Sequence, residues 1–355
     1  MKIGVIGLGY WGPNLIRNFL SNNSISKVVG CDLNDERLRF IQSRFPSVDL
    51  TNNYKDLVEG DFDAIAIATP VDTHYKFAKE ALNAGKHIWV EKPFTSKVFQ
   101  AEELIKIAEA KNLRIFVDHT FLYTGAVKKI KELVVGGELG NIIYFDSVRI
   151  NLGLFQHDVN VIWDLAPHDL SIMKYIIPDK EISGVTACGV SNYYELENLA
   201  QVSLHFKNQS CFAHFHVNWT SPVKIRKMII AGDKKMLVFD DMENSEKIKI
   251  YNSSVDVTTA ESLHNTLVQY RTGDMCSPKI EQVEALSSAV TEFANSIINN
   301  RIPLTNAYDG LEIVKILEAS DISIKKTGAY VGINGHQSPA IKRKVGVEEY
   351  AQEKI

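Results

Sequence analysis

Two stretches of the chain carry side chains suited to moving a proton. In Ile162-Trp163-Asp164-Leu165-Ala166-Pro167-His168-Asp169, Asp164 and His168 lie four positions apart, so a helix puts both on one face. A histidine beside a carboxylate suits general acid–base work near neutral pH. The plain alternative is a helix in which Asp164 is the N-cap and His168 a satisfied core residue. The second stretch is Glu91-Lys92-Pro93, which follows a buried apolar run. Pro93 restricts Lys92 to an extended or turn conformation, or permits a cis bond. A lysine held there can hydrogen-bond a reacting oxygen, whereas an ordinary surface lysine would do nothing. Taking a hydride from an alcohol carbon needs both functions: a base for the hydroxyl proton and a charge to stabilise the developing oxyanion.

The first 32 residues supply the site for a hydride acceptor. Lys2 to Gly7 is a short β-branched run that ends in Gly7-Leu8-Gly9-Tyr10-Trp11-Gly12, and a helix pattern follows from Pro13. Gly7 makes the tight turn, Gly9 lets the backbone approach a pyrophosphate, and Gly12 lets the helix pack closely on the strand. The helix N-terminus then faces the phosphates. A second apolar run ends in Asp32, twenty positions beyond Gly12, where a dinucleotide fold places the acid for the ribose hydroxyls. Strand, glycines, helix, strand and acid in this order predict a dinucleotide site. A carboxylate would repel a 2′-phosphate, so NAD is preferred over NADP, a preference that Arg37 would weaken by swinging in. Tyr10 and Trp11 are expected to wall the cofactor cleft.

Further elements must position these groups. Helix and strand patterns alternate from Asp35 to Val117, with strands near Val48 to Thr51, Asp63 to Ala68, His87 to Val90 and Leu113 to Val117. This predicts an α/β class with a doubly wound parallel sheet. Ligands sit at the carboxyl ends of such strands, so Thr69, Pro70, His74, Glu91 and Lys92 join the glycines and Asp32 as expected cofactor contacts. His119 and Tyr123 lie at the hand-over to the second half, where they either contact substrate or hold the hinge. After a helix from Thr124 to Val135, period-2 runs predict a mostly antiparallel sheet, broken by one helix from Asp164 to Ile177. In the run from Ser210, Cys211, Ala213, Phe215, Val217 and Trp219 share one face, and Phe212, His214, His216 and Asn218 the other. Tyr251 to Pro278 reads as a loop-rich excursion. Two helices, Ile280 to Asn299 and Tyr308 to Lys326, precede a polar tail.

The chain is 355 residues long, 45% hydrophobic and 23% charged, with a formal net charge of −4. That is room for two full cores and too little positive charge for a nucleic-acid partner. No run reaches the length of a membrane span, and Met1 leads straight into a strand, which gives the expectation of a cytoplasmic protein. Cys31, Cys188, Cys211 and Cys276 lack metal or disulfide spacing. His214 and His216 share a strand face without a third ligand. Nicotinamide chemistry needs no metal, so none is expected at His157, Asp158, Asp164 and His168 either.

The string GLGYWGPNL, then Ala68-Thr69-Pro70, Glu91-Lys92-Pro93, Asp164-Leu165-Ala166-Pro167-His168-Asp169 and Asp309-Gly310-Leu311, resembles the glucose-fructose oxidoreductase, inositol dehydrogenase and rhizopine-catabolism family, Gfo/Idh/MocA. The resemblance implies an NAD-binding Rossmann domain over residues 1–120 and a substrate-binding, oligomerising α+β domain with an open sheet over 121–332. The polar tail covers 333–355. It also implies roles: His168 donates or accepts the proton, Lys92 positions the hydroxyl and lowers its pKa, and Asp164 orients substrate and histidine. Many members carry three glycines before the catalytic aspartate, where this chain has Asp158-Val159-Asn160. Its polar side chains, Asn160 among them, are therefore expected to read a different sugar. The GYWGPNL opening and the IWDLAPHD helix look most like members acting on nucleotide-linked sugars in surface-polysaccharide pathways, for instance at C3 of a UDP-N-acetylhexosamine. A free polyol or inositol dehydrogenase is the alternative within enzymes, and a catalytically silent NAD-binding regulator the alternative outside them. A homodimer or homotetramer through the second sheet is expected.

Overall fold

The computed structural model describes residues 1–153, 155–193, 195–207, 211–256, 269–271 and 273–333. The first part alternates strand and helix throughout: β1 (Lys2–Ile6), α1 (Gly12–Leu20), β2 (Lys27–Cys31), α2 (Asp35–Arg44), β3 (Asp49–Thr51), α3 (Lys55–Val58), β4 (Ala64–Ile67), α4 (Val71–Asn83), β5 (His87–Glu91), α5 (Val98–Ala110) and β6 (Ile115–Asp118). The six strands form one parallel sheet in the order β3-β2-β1-β4-β5-β6. Helices cover both faces, so β4 can be apolar at every position, and all four of its residues are buried. Strand order reverses between β1 and β4, and the crevice this opens lies at their carboxyl ends, beside Gly7 and Thr69.

A single 3₁₀ turn, Thr120–Tyr123, leads to α6 (Gly125–Val135). There follow β7 (Ile142–Leu152), α7 (Val161–Ile176), β8 (Ile182–Val190), β9 (Leu199–Phe206), β10 (Phe212–Asn218), β11 (Thr220–Gly232), β12 (Met236–Asp240) and β13 (Ile248–Tyr251). Short strands β14 (Ser254–Asp256), β15 (Gln269–Arg271) and β16 (Met275–Cys276) precede α8 (Ala285–Ile298), α9 (Ala307–Lys325) and β17 (Val331–Gly332). Nine strands form the second sheet, ordered β16-β13-β12-β11-β7-β10-β9-β8-β17, while β14 and β15 pair apart from it. All neighbours in it run antiparallel except β7 and β10. The predicted alternation holds along β10: Ala213, Phe215 and Val217 are buried towards the helices, and His214 and His216 lie half-exposed on the outer face. Part of the excursion between Tyr251 and Pro278, and the tail from Asn334, lie outside the described residues.

Two differences from the sequence reading bear on the site. Helix α7 starts at Val161, earlier than expected, because Asn160 caps it through Oδ1, which accepts from the backbone N–H of Ile162 and Trp163 at 3.1 and 3.2 Å. Asp164 is therefore not the cap. The last two helices also return to the first sheet. Val117 donates its backbone N–H to the Thr305 carbonyl at 2.9 Å, and Phe293 packs edge-on against Trp89 at 5.6 Å. A Cβ on Gly310 would lie 3.0 Å from Val117 and 3.1 Å from Phe94, so a side chain there would force α9 off β6. Among the described residues no helix is long and apolar enough to cross a membrane.

Candidate active site

The glycine turn has the form a pyrophosphate needs. Gly7 has φ +96°, and a Cβ on it would meet the Ala68 carbonyl oxygen at 2.5 Å. A Cβ on Gly12 would meet the Gly7 carbonyl oxygen at the same distance, which sets the close approach of α1 to the turn. Gly9 differs, because a Cβ there would meet only the Arg37 guanidinium, at 3.8 Å. Its open side is the space a phosphate requires. No side chain caps α1, so its first N–H groups remain available to an anion. Asp32, at the end of β2, accepts from Leu8 N at 2.7 Å and Asn34 N at 2.8 Å, with Arg37 3.4 Å away. A carboxylate offers about four lone-pair sites, so capacity remains for a ribose hydroxyl. Tyr10 is exposed and meets Trp11 edge-on at 5.4 Å, in front of the turn. Thr69 borders Gly7 and accepts from the Thr73 hydroxyl at 2.6 Å, and exposed Pro70 opens α4.

Across the crevice, the structure joins Lys92, Asp164 and an unexpected third group. Lys92, at the end of β5 before a cis proline, donates through Nζ to the Asp164 carbonyl at 2.8 Å and to Asp164 Oδ1 at 3.2 Å. Asp164 Oδ2 accepts from Trp219 Nε1 at 3.0 Å. Both oxygens are thus directed by donors from other elements, and the side chain stays 21% exposed to a ligand. His168, one turn further along α7, is half-buried, and its Nδ1 is enclosed without a hydrogen-bond partner. Burial first, and then the charges of Lys92, Arg149 and Arg226, push its pKa well below the usual imidazole range. This environment favours the neutral imidazole, the form whose free lone pair takes a proton.

Its ring rests edge-on against Phe121 at 5.0 Å, and the Arg149 guanidinium lies 4.8 Å from the Phe121 ring. Arg149 is buried with Asp169, donating through Nε at 2.9 Å and also through Nη2, while Ser147 donates to the other oxygen at 2.8 Å. Trp219, Phe121 and Arg149 are the site residues that sequence reasoning missed. The period-2 pattern grouped Trp219 with Ala213, Phe215 and Val217, and it is buried as they are, just past the end of β10, but nothing local indicated that its indole N–H meets Asp164.

Three expected ligand contacts, His74, Glu91 and Asn160, are corrected, and Tyr123 takes the hinge position of its two readings. His74 is buried, with Nδ1 3.0 Å from the Pro93 carbonyl and Nε2 2.9 Å from the Thr69 carbonyl, so it ties the β4 and β5 loops together instead of facing a cofactor. Glu91 is buried at the end of β5, beside Asp118, its register partner on β6. Burial and the neighbouring Asp118 raise the Glu91 pKa well above the carboxylate range, and burial raises that of Asp118 to about 6. Asn160 is a cap whose amide also donates to Glu197 and Asp321, at 2.9 and 3.1 Å. Tyr123 is buried, hydrogen-bonded to Thr305 Oγ1 at 3.0 Å, and holds the hinge. His119 is 2% exposed with both ring nitrogens unpartnered, and lines a cavity of about 20 Å³ with Ser171 and Thr305. Burial and the Lys92 charge lower its pKa to about 3. On the outer sheet face His214 Nδ1 pairs with Asp146 at 3.0 Å.

Residues 1–119 match a family model described as "Oxidoreductase family, NAD-binding Rossmann fold", and residues 127–238 match the "GFO/IDH/MocA C-terminal domain". An uncharacterised oxidoreductase of Escherichia coli is 30% identical over 193 residues, 50% of this chain and 54% of its own length. One from Schizosaccharomyces pombe is 28% identical, over 47% of this chain and 49% of its own. The chain thus spans about half the length of these two relatives. The UDP-N-acetylglucosamine 3-dehydrogenase of Acidithiobacillus ferrooxidans is 25% identical over 332 residues, 88% of this chain and 94% of that protein. A solved structure of that enzyme superposes with a TM-score of 0.74 at 22% identity, over 93% of this chain and 99% of the other. The apo scyllo-inositol dehydrogenase of Lactobacillus casei superposes at 0.75 with 20% identity, over 94% and 98%. The structural likeness is one of fold.

Proposed function

The chain belongs to the Gfo/Idh/MocA family of NAD-binding oxidoreductases, and from that premise we propose that it oxidises a ring hydroxyl of a sugar, or reduces the corresponding keto-sugar. The observation that carries this reading is Asp164 held between Lys92 and Trp219, one helical turn from the neutral His168. When bound, NAD supplies the acceptor for the hydride that leaves the carbinol carbon. The glycine turn and the uncapped start of α1 hold its phosphates, and Asp32 its ribose. Lys92 donates to the reacting oxygen and favours its anionic form. His168 takes the hydroxyl proton, through Nε2 because Nδ1 is enclosed. Asp164 accepts from a neighbouring hydroxyl and keeps the ammonium of Lys92 in place. In the reductive direction the same groups return the proton.

The substrate in this reading is a nucleotide-linked sugar, such as a UDP-N-acetylhexosamine reacting at C3, and the setting is surface-polysaccharide biosynthesis. Its support is the sequence similarity to a UDP-N-acetylglucosamine 3-dehydrogenase along nearly the full length of both proteins. The open outer face of the nine-stranded sheet, where Val148, Ile229 and Val238 lie beside His214, supports assembly into a homodimer or homotetramer. The test is absorbance at the reduced-nicotinamide band, with NAD and a panel of UDP-sugars and free polyols. A rise with a UDP-sugar, lost in Lys92→Met and His168→Ala variants that still bind NAD, is the expected result. Full turnover in both variants would remove the mechanism, a rise confined to free polyols would move the substrate class, and NAD binding without any turnover would favour a silent regulator.

A further inference from the structure

We infer that Arg226 anchors an anionic, phosphoryl-type substituent of the substrate about one sugar ring away from the reacting carbon. This deepens the nucleotide-sugar reading and rests on it. Arg226 lies on β11 directly opposite Arg149 of β7, on the face that looks towards Phe121. Like charges opposite each other on adjacent strands destabilise a sheet unless they are compensated. Arg149 is compensated, because it is buried against Asp169. Arg226 is not fully so. The nearest carboxylate it reaches is Asp241, at 3.5 Å, and Lys247 shares that carboxylate, donating to Oδ1 at 3.1 Å and to the Asp241 carbonyl at 2.6 Å. Two cations on one carboxylate leave a surplus positive charge, and the Arg226 side chain remains 34% exposed.

That surplus is aimed at the chemistry. The Phe121 ring is 6.0 Å from the Arg226 guanidinium and 5.0 Å from the His168 ring, so the guanidinium and the imidazole both neighbour one aromatic ring. A sugar whose hydroxyl meets His168 and Lys92 extends by one ring to the guanidinium. There a phosphate or diphosphate presents the paired oxygens that an arginine fork matches. Between Thr220 and Ile225 the pairing of β11 with β7 slips, and this bulge lies just after Trp219, the donor to Asp164. Bulges of this kind re-aim side chains beside active sites. Here it sets the register that puts Arg226 on the inner face.

Steady-state kinetics of Arg226→Gln and Arg226→Lys test the assignment with UDP-N-acetylglucosamine, N-acetylglucosamine 1-phosphate, free N-acetylglucosamine and myo-inositol as substrates, and UDP as inhibitor. NAD affinity serves as the control for folding. The expected result for Arg226→Gln is a KM for the anionic substrates and a Ki for UDP raised about 10- to 100-fold, a larger effect than any change in kcat from the charge lost near His168, with partial recovery in Arg226→Lys. An unchanged KM for a UDP-sugar that the wild type turns over would overturn the Arg226 assignment alone. Turnover of the sugar phosphate but not the UDP-sugar, lost on substitution, would overturn the nucleotide reading and keep Arg226. Turnover of neutral sugars only, with no inhibition by UDP, would overturn both.

Discussion

Replacing Asp169 with Asn tests how the floor of the site is held. Both partners of the Arg149–Asp169 pair are almost wholly buried, at 4% and 2% side-chain exposure, so water cannot take over the lost contact. The amide keeps one acceptor for Arg149 Nε and a contact for Ser147, but the guanidinium loses its counter-charge while Arg226 stands opposite. Removing one member of a buried pair costs about 3–5 kcal/mol, and the retained acceptor puts Asp169→Asn near 3 kcal/mol. With an unfolding slope of about 3 kcal/mol/M, the urea midpoint falls by about 1 M. The double replacement Arg149→Met/Asp169→Leu removes both charges and is expected to recover most of that loss, since apolar side chains can fill such a site without a desolvation cost. Urea titration followed by tryptophan fluorescence reads all three proteins. A shift in Asp169→Asn worth less than about 1 kcal/mol, or a double variant as weak as the single, would refute the reasoning.

The glycine turn separates binding from stability. Gly9→Ala has room in the fold and is expected to leave the melting temperature unchanged while weakening NAD binding at least 10-fold, whereas Gly12→Ala drives a methyl into the Gly7 carbonyl and lowers both; calorimetric titration and thermal melts would contradict this if the two variants behaved alike. Stability should also fall on acidification through His119. Its folded pKa of about 3 lies below the unfolded value near 6.5, so between those limits the unfolded chain binds the extra proton and stability drops as pH falls. His168 acts in the same direction, and Asp118, raised to about 6, acts in the opposite one. Both remain in His119→Asn, so melts of the two proteins from pH 7 to pH 4 should diverge, and parallel curves would show that His119 does not titrate as described.

The parts legible in the sequence were those whose geometry is local. Gly7, Gly9, Gly12 and Asp32 form one strand–turn–helix–strand unit, and each sits where its type requires. Lys92 was legible from its place at a strand end. The residues that support them come from far along the chain: Trp219 reaches Asp164 from another element, and Phe121 bridges His168 to Arg149. Periodicity tells which face a side chain occupies and says nothing about which distant strand lies beside it. His74 and Glu91 show the converse error. His74 lies in the first turns of α4 and Glu91 ends β5, both near the crevice by number, yet both side chains are buried within the protein, because the end of a strand or start of a helix presents one side to the crevice and the other to its neighbours. Asn160 was misread for a third reason, since a polar residue just before a helix serves the backbone before it can serve a ligand.

The return of the last two helices to β6 also dictates an order of assembly. During synthesis the first 118 residues leave the ribosome with every strand of the parallel sheet but without Phe293 against Trp89 or the Thr305 carbonyl for Val117. Until residues near 310 emerge, β6 is an uncovered sheet edge flanked by apolar side chains, the kind of surface on which nascent chains associate. The cofactor half is therefore made first but completed only when most of the second half has been made.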